Sequence, residues 1–107
     1  MNVKNIDHIN DFNQQIGESS TALLEFRADW CMPCRASLPI LEELAKNNPD
    51  VPVFAVDVEG DGIEEVLAKY RVRSLPTFIK LKNGNEIGRS VGATPKAVLL
   101  ELMKGDK

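Results

Sequence analysis

Histidine, cysteine and excess basic charge are all scarce in this chain. One histidine, His8, and two cysteines, Cys31 and Cys34, are the only imidazole and thiol groups among 107 residues. That set cannot fill a four-ligand zinc site unless two chains share the ion. His8 reads more simply as an exposed helix residue. Lys+Arg number 13 against 16 Asp+Glu, a net charge of -3 with both signs scattered, so there is no basic footprint for nucleic acid. No apolar run approaches the length of a membrane span, and the stretch Met1 to His8 has no apolar core of a secretory signal. Repeats, linkers and low-complexity tracts are missing too. These absences leave one soluble cytoplasmic domain over 1–107, 43% apolar and able to bury a single core.

What is present centres on Trp30-Cys31-Met32-Pro33-Cys34, which holds both cysteines. Cysteines three apart at the start of a helix meet within one turn, and the N–H groups and dipole of a helix N-terminus favour thiolate over thiol. The spacing therefore suits a dithiol that opens and closes. As a mere staple it has little to offer: closing so short a loop contributes about 2 kcal/mol in the chain-entropy model, and a cytosolic chain rarely keeps such a bond oxidised.

The surrounding pattern alternates strand and helix. A short strand around Val3 precedes a helix over 7–16, with Ile9, Phe12 and Ile16 on one face and Asp7 as its cap. Thr21 to Arg27 is an apolar strand feeding the cysteine motif, and Glu25 within it is an anomaly. A carboxyl buried there titrates high unless it finds a partner, as proton-transfer groups often do. Leu38, Leu41, Leu44 and Ala45 define a helix from about Cys31 to Asn47, kinked near Pro39 because proline deprives the Arg35 carbonyl of its donor. Val53 to Val58 is the next strand, and strand–helix–strand here implies a right-handed parallel crossover.

Asp57 to Gly62 superficially resembles a calcium loop, but Ala68 stands where the bidentate glutamate belongs. Asp61 with Glu64 fits better as the cap of a helix over 62–70 that turns Ile63, Val66, Leu67 and Tyr70 inward. Two apolar runs around Asn83-Gly84 form a hairpin. Thr94 and Pro95 open a last helix with Val98, Leu99, Leu102 and Met103 on its buried face.

Taken together, Trp30-Cys31-Met32-Pro33-Cys34, Leu75-Pro76-Thr77, Lys82-Asn83-Gly84 and Val91-Gly92-Ala93 resemble the thioredoxin family in order and spacing across nearly the whole chain. The resemblance implies an α/β fold with a mixed five-stranded sheet, a parallel core plus a C-terminal antiparallel hairpin, flanked by four helices. It implies a protein-disulfide reductase in which Cys31, exposed at the helix start, attacks and the more buried Cys34 resolves. Glu25 matches the family's buried acid and would take the Cys34 proton. Pro76 would be a cis proline facing the disulfide, with the Leu75 backbone pairing with substrate as an added strand. Trp30, Met32, Pro33, Gly92 and Ala93 would form the apolar contact surface. The implied partners are disulfide-containing client proteins and an NADPH-dependent, flavin-containing thioredoxin reductase. No bound cofactor or metal is implied beyond the Cys31–Cys34 disulfide, and monomer is the default.

Three positions depart from the family pattern. Met32 replaces the usual glycine, and a firmer first helical turn would make the pair more oxidising. Arg27 stands where an aromatic residue is common. Ala55 replaces a lysine that pairs with the acid in many bacterial members, which leaves Glu25 easier to protonate. Two other functions stay open from the sequence: an oxidase or isomerase with shifted redox poise, and a thioredoxin-fold subunit whose thiols are dispensable.

Overall fold

The computed structural model describes residues 2–105, so Met1, Asp106 and Lys107 of the expected 1–107 domain lie outside the described residues. Strands β1 (Val3–His8), β2 (Thr21–Arg27), β3 (Val53–Asp61), β4 (Thr77–Lys82) and β5 (Asn85–Val91) form one sheet in the order β1-β3-β2-β4-β5. β3 runs parallel to both β1 and β2, while β4 is antiparallel to β2 and to β5. This is the expected mixed sheet. Helices α1 (Ile9–Gly17), α2 (Met32–Asn47), α3 (Glu64–Tyr70) and α4 (Lys96–Lys104) complete it. No helix among the described residues is long and apolar enough to cross a membrane.

Alternation along the strands sends side chains to two cores. Leu24, Phe26, Phe54, Val56, Ile79 and Leu81 meet Phe12 and Ile16 of α1 and Val66 and Tyr70 of α3 on one face. Leu23, Val53, Ala55 and Phe78 meet Leu41 and Leu44 of α2 and Leu99 and Met103 of α4 on the other. Each helix contributes an apolar stripe at helical spacing, so the sheet is covered on both sides, as its continuous apolar strands require. α2 runs through Pro39 as one helix.

Several local expectations are corrected. α1 is capped not by Asp7 but by His8, whose Nδ1 accepts from the Asn10 N–H at 3.0 Å. β1 is longer than expected and ends at His8, which is therefore no helix residue; its imidazole lies 3.6 Å from Asp61. Asp61 does not cap α3. β3 runs on to Asp61, which pairs with His8, and α3 starts at Glu64 without a side-chain cap. Val98 is exposed, because Leu99 and Met103 already fill the site beneath α4.

The extra length of β3 depends on Gly60. A Cβ there would lie 2.4 Å from the Asp7 carbonyl oxygen, where the β1–β3 register shifts between Ile6 and His8. Backbone cannot yield as a flexible side chain does. Gly60→Ala is expected to destabilise the protein by about 1–3 kcal/mol, the usual cost of overpacking. Urea unfolding of the disulfide form with an unchanged midpoint would contradict this contact.

Candidate active site

Parallel strands of an open α/β sheet deliver their functional loops at the carboxyl ends. Arg27, the last residue of β2, pairs with Asp57 within β3, so Ala28-Asp29-Trp30 leaves the sheet beside Val58-Glu59. The chain then turns directly into α2. Cys31 is its N-cap, Met32 the first helical residue and Pro33 the next, where the missing proline N–H has no intrahelical partner to lose.

Cys31 and Cys34 form a disulfide with their Cα atoms 5.3 Å apart. The Cys34 backbone N–H donates to the Cys31 Sγ at 3.3 Å. The sulfur thus occupies the place that a serine or aspartate oxygen takes at an ordinary cap, against the positive end of the helix. Cys31 is not exposed as expected. It is 5% accessible against 0% for Cys34, so the two differ in the expected sense, but both pack with Ala28 and against Val58 and Leu75. What stands exposed is the rim, with Trp30 at 67% and Met32 at 68%, and with Pro33 beside them.

The second half of the site comes from distant loops. The Leu75–Pro76 peptide is cis, and half-buried Leu75 packs against the disulfide cluster. Pro76 itself is buried. Its carbonyl accepts from the Gly92 N–H at 2.7 Å, and the Gly92 carbonyl accepts from the Thr94 hydroxyl at 2.8 Å. Gly92 has φ +85°, a conformation that glycine adopts without Cβ strain. The first of these bonds ties the 92–94 loop to the 75–76 loop, and the second closes the 92–94 turn on itself. Gly92 is half-buried and Ala93 exposed.

Two features were missed in the sequence. The Trp30 indole N–H donates to the Glu59 carboxylate at 3.1 Å, which orients the ring. A groove of about 330 Å³ runs beside it, lined by Trp30, Val58, Leu67, Val72, Arg73 and Leu75 among others. The parallel β2–β3 pairing held the signal for Glu59, since it sets the residue two beyond Asp57 alongside the residues that follow Arg27.

Glu25 lies on the sheet face toward α2, because its register partners Ala55 and Phe78 belong to that core. It is fully buried, and neither carboxyl oxygen has a hydrogen-bond partner among the described residues. Burial pushes its pKa up from 4.5 to about 8, against a smaller opposing pull from the Arg27 guanidinium. Arg27, two residues along the same face, pairs with Asp29 at 2.8 Å.

Fold and site together define an α/β protein with a Cys-x-x-Cys disulfide at the mouth of a helix, facing a cis-proline loop. The family model described as Thioredoxin matches residues 3–105, and the chain belongs to the thioredoxin family. It is 33% identical to a thioredoxin of Mycoplasmoides gallisepticum over 95% of this chain and 100% of that one. It is 43% identical to an H-type thioredoxin of Fagopyrum esculentum over 72% of this chain, and spans 65% of that protein's length, just under two thirds. A solved thioredoxin structure from Plasmodium falciparum superposes with a TM-score of 0.84 at 30% identity, covering 94% of this chain and 96% of that one.

Proposed function

We propose that this chain is a cytoplasmic thiol-disulfide oxidoreductase that reduces protein disulfides, working as one domain and as a monomer. The observation that carries the reading is the Cys31 sulfur at the N-cap of α2, with the Cys34 N–H directed at it and the Cys34 sulfur buried behind. A donor already in place for a lone pair stabilises negative charge on sulfur better still, so Cys31 is the nucleophile and leaving group.

In the reduced form the Cys31 thiolate attacks a client disulfide, forming a mixed disulfide and expelling one client thiolate. Cys34 then loses its proton and attacks the Cys31 sulfur, which closes the Cys31–Cys34 disulfide and releases the second client thiolate. Two electrons pass to the client. Glu25 in its ionised form accepts the Cys34 proton; a carboxyl titrating near 8 lies close to the ordinary thiol range, so the proton moves between them at little cost. The Leu75 backbone pairs with the client strand, Pro76 backs the disulfide, and Trp30, Met32, Pro33, Gly92 and Ala93 form the contact face. An NADPH-dependent thioredoxin reductase returns the disulfide to the dithiol, and no bound cofactor takes part.

Equilibration of the pair against a defined thiol buffer, with trapping of free thiols, tests the direction of flow. A potential below the cytosolic glutathione poise is expected; one clearly above it would make the chain an oxidase or isomerase. In the same assay Met32→Gly is expected to make the pair more reducing, because glycine loosens the first turn of α2. An equal or higher potential for the variant would remove Met32 from the control of redox poise.

A further inference from the structure

We propose that Met32 is an oxidation site, a thioether placed for conversion to methionine sulfoxide by hydroperoxides, and that this modification turns down exchange at the adjacent cysteine pair. The second half rests on the disulfide-reductase reading; the first stands on geometry alone.

Met32 lies between the two cysteines on the first turn of α2, and it is 68% exposed. Met103, by contrast, is 0% exposed within the α4 core. The thioether is therefore open to a small oxidant at the one place where the protein meets other redox groups. It also has a polar neighbour. The Arg35 Nη1 lies 3.9 Å from the Met32 sulfur, one helical turn along the same face. A thioether is a weak acceptor at that range, whereas a sulfoxide oxygen is a strong one. Oxygen added on the side of the guanidinium falls within hydrogen-bond reach of Nη1, so the oxidised side chain has a partner waiting.

The chemistry balances without help from elsewhere. The sulfur lone pair attacks the distal peroxide oxygen, the O–O bond breaks as the S–O bond forms, and the hydroperoxide leaves as an alcohol or water. Sulfur loses two electrons and the peroxide gains them. Cysteine reacts first where it is free. A reduced Cys31 goes to the sulfenic acid, and Cys34 condenses with it to give the disulfide and water. Once the disulfide is closed, Met32 is the next reactive sulfur on this loop. The five residues thus carry two steps of an oxidation ladder: a disulfide that thiols reopen, then a sulfoxide that needs a methionine sulfoxide reductase. A polar, chiral sulfoxide in the middle of an apolar contact face weakens docking of clients and of the recharging enzyme alike.

The test begins with the full chain in its disulfide form, which shields both cysteines. Hydrogen peroxide is added, removed, and the sulfoxides are located by peptide mass spectrometry. Met32 is expected to oxidise well ahead of Met103; equal rates would overturn the proposal. The disulfide is then reopened with dithiothreitol, and turnover on a protein-disulfide substrate is compared with the same protein before peroxide. A drop of about tenfold is expected, the effect of burying one new polar group at a contact. The before-and-after ratio should stay near one for Met32→Leu, and methionine sulfoxide reductases should restore the wild type. An equal drop in Met32→Leu, or a loss those enzymes do not reverse, would overturn the regulatory half. Absence of turnover before any peroxide would instead defeat the reductase reading and the regulation with it, leaving the mapping to decide the oxidation site.

Discussion

Cys34→Ser is expected to lower turnover on a protein-disulfide substrate about a thousandfold or more while leaving the first chemical step intact. Cys31 keeps its position at the N-cap of α2, because the donor to its sulfur is the backbone N–H of residue 34, which serine retains. Attack on a client disulfide therefore still occurs. Release does not, because the resolving sulfur is gone and a free thiol from solution has to replace it. A thiol held within one helical turn competes with external thiols at an effective concentration that solution cannot approach, and that advantage is what the variant loses. The covalent adduct should accumulate and appear as a higher-mass band on a non-reducing gel, disappearing with reductant. Cys31→Ser should lose turnover as fully yet trap nothing, since Cys34 is completely buried. Adduct formation by Cys31→Ser, or turnover by Cys34→Ser close to that of the parent, would reverse the assignment of nucleophile and resolving thiol.

The asymmetry between the two cysteines was implied by the family resemblance, and their positions on the helix agree with it. A cap residue sits at the edge of a helix, and a residue one turn in on the face toward the sheet sits beneath it. The strands and the Asn83-Gly84 hairpin were legible for reasons of period and turn chemistry, and the apolar stripes placed α1, α2 and α3. Expectations failed where a tertiary partner outbid a local one. Asp7 and Asp61 both suit helix caps, but the sheet takes both: β1 continues through Asp7 to His8, and β3 runs on to pair Asp61 with His8. Val98 matched the apolar face of α4 in spacing, yet the deeper positions of Leu99 and Met103 satisfy the core without it. The exposure of Cys31 that the resemblance implied was overestimated, because Val58 and Leu75, from two other segments, close over the sulfur. The Trp30–Glu59 bond lay hidden for the same reason, as only strand register brings residues 29 apart into contact.

Glu25 offers the second large effect, on stability rather than turnover. Its side chain is fully buried without a hydrogen-bond partner among the described residues, and its pKa is raised from 4.5 to about 8 by that burial. Below about pH 4.5 the carboxyl is protonated in folded and unfolded chains alike, and it contributes no pH-dependent cost. Between there and pH 8 the unfolded chain ionises while the folded one keeps its proton. The folded state then binds more protons, so stability falls as pH rises, by up to about 1.4 kcal/mol per pH unit. Above pH 8 both forms are ionised and the loss, about 5 kcal/mol in all, is complete. Glu25→Gln removes the ionisation and keeps the shape. The buried amide has a cost of its own, but that cost is the same at every pH and cancels when two pH values are compared. Relative to the parent, the variant should therefore gain about 5 kcal/mol between pH 4 and pH 9 in denaturant unfolding of the disulfide form, where no thiol titrates. The same substitution removes the proton acceptor proposed for Cys34, so release of the mixed disulfide should slow and lose its inflection near pH 8. Stability curves that stay parallel across this range would mean that Glu25 ionises as easily in the fold as outside it. A large stability gain with an unchanged rate profile would mean that Glu25 is a buried acid with no part in the exchange.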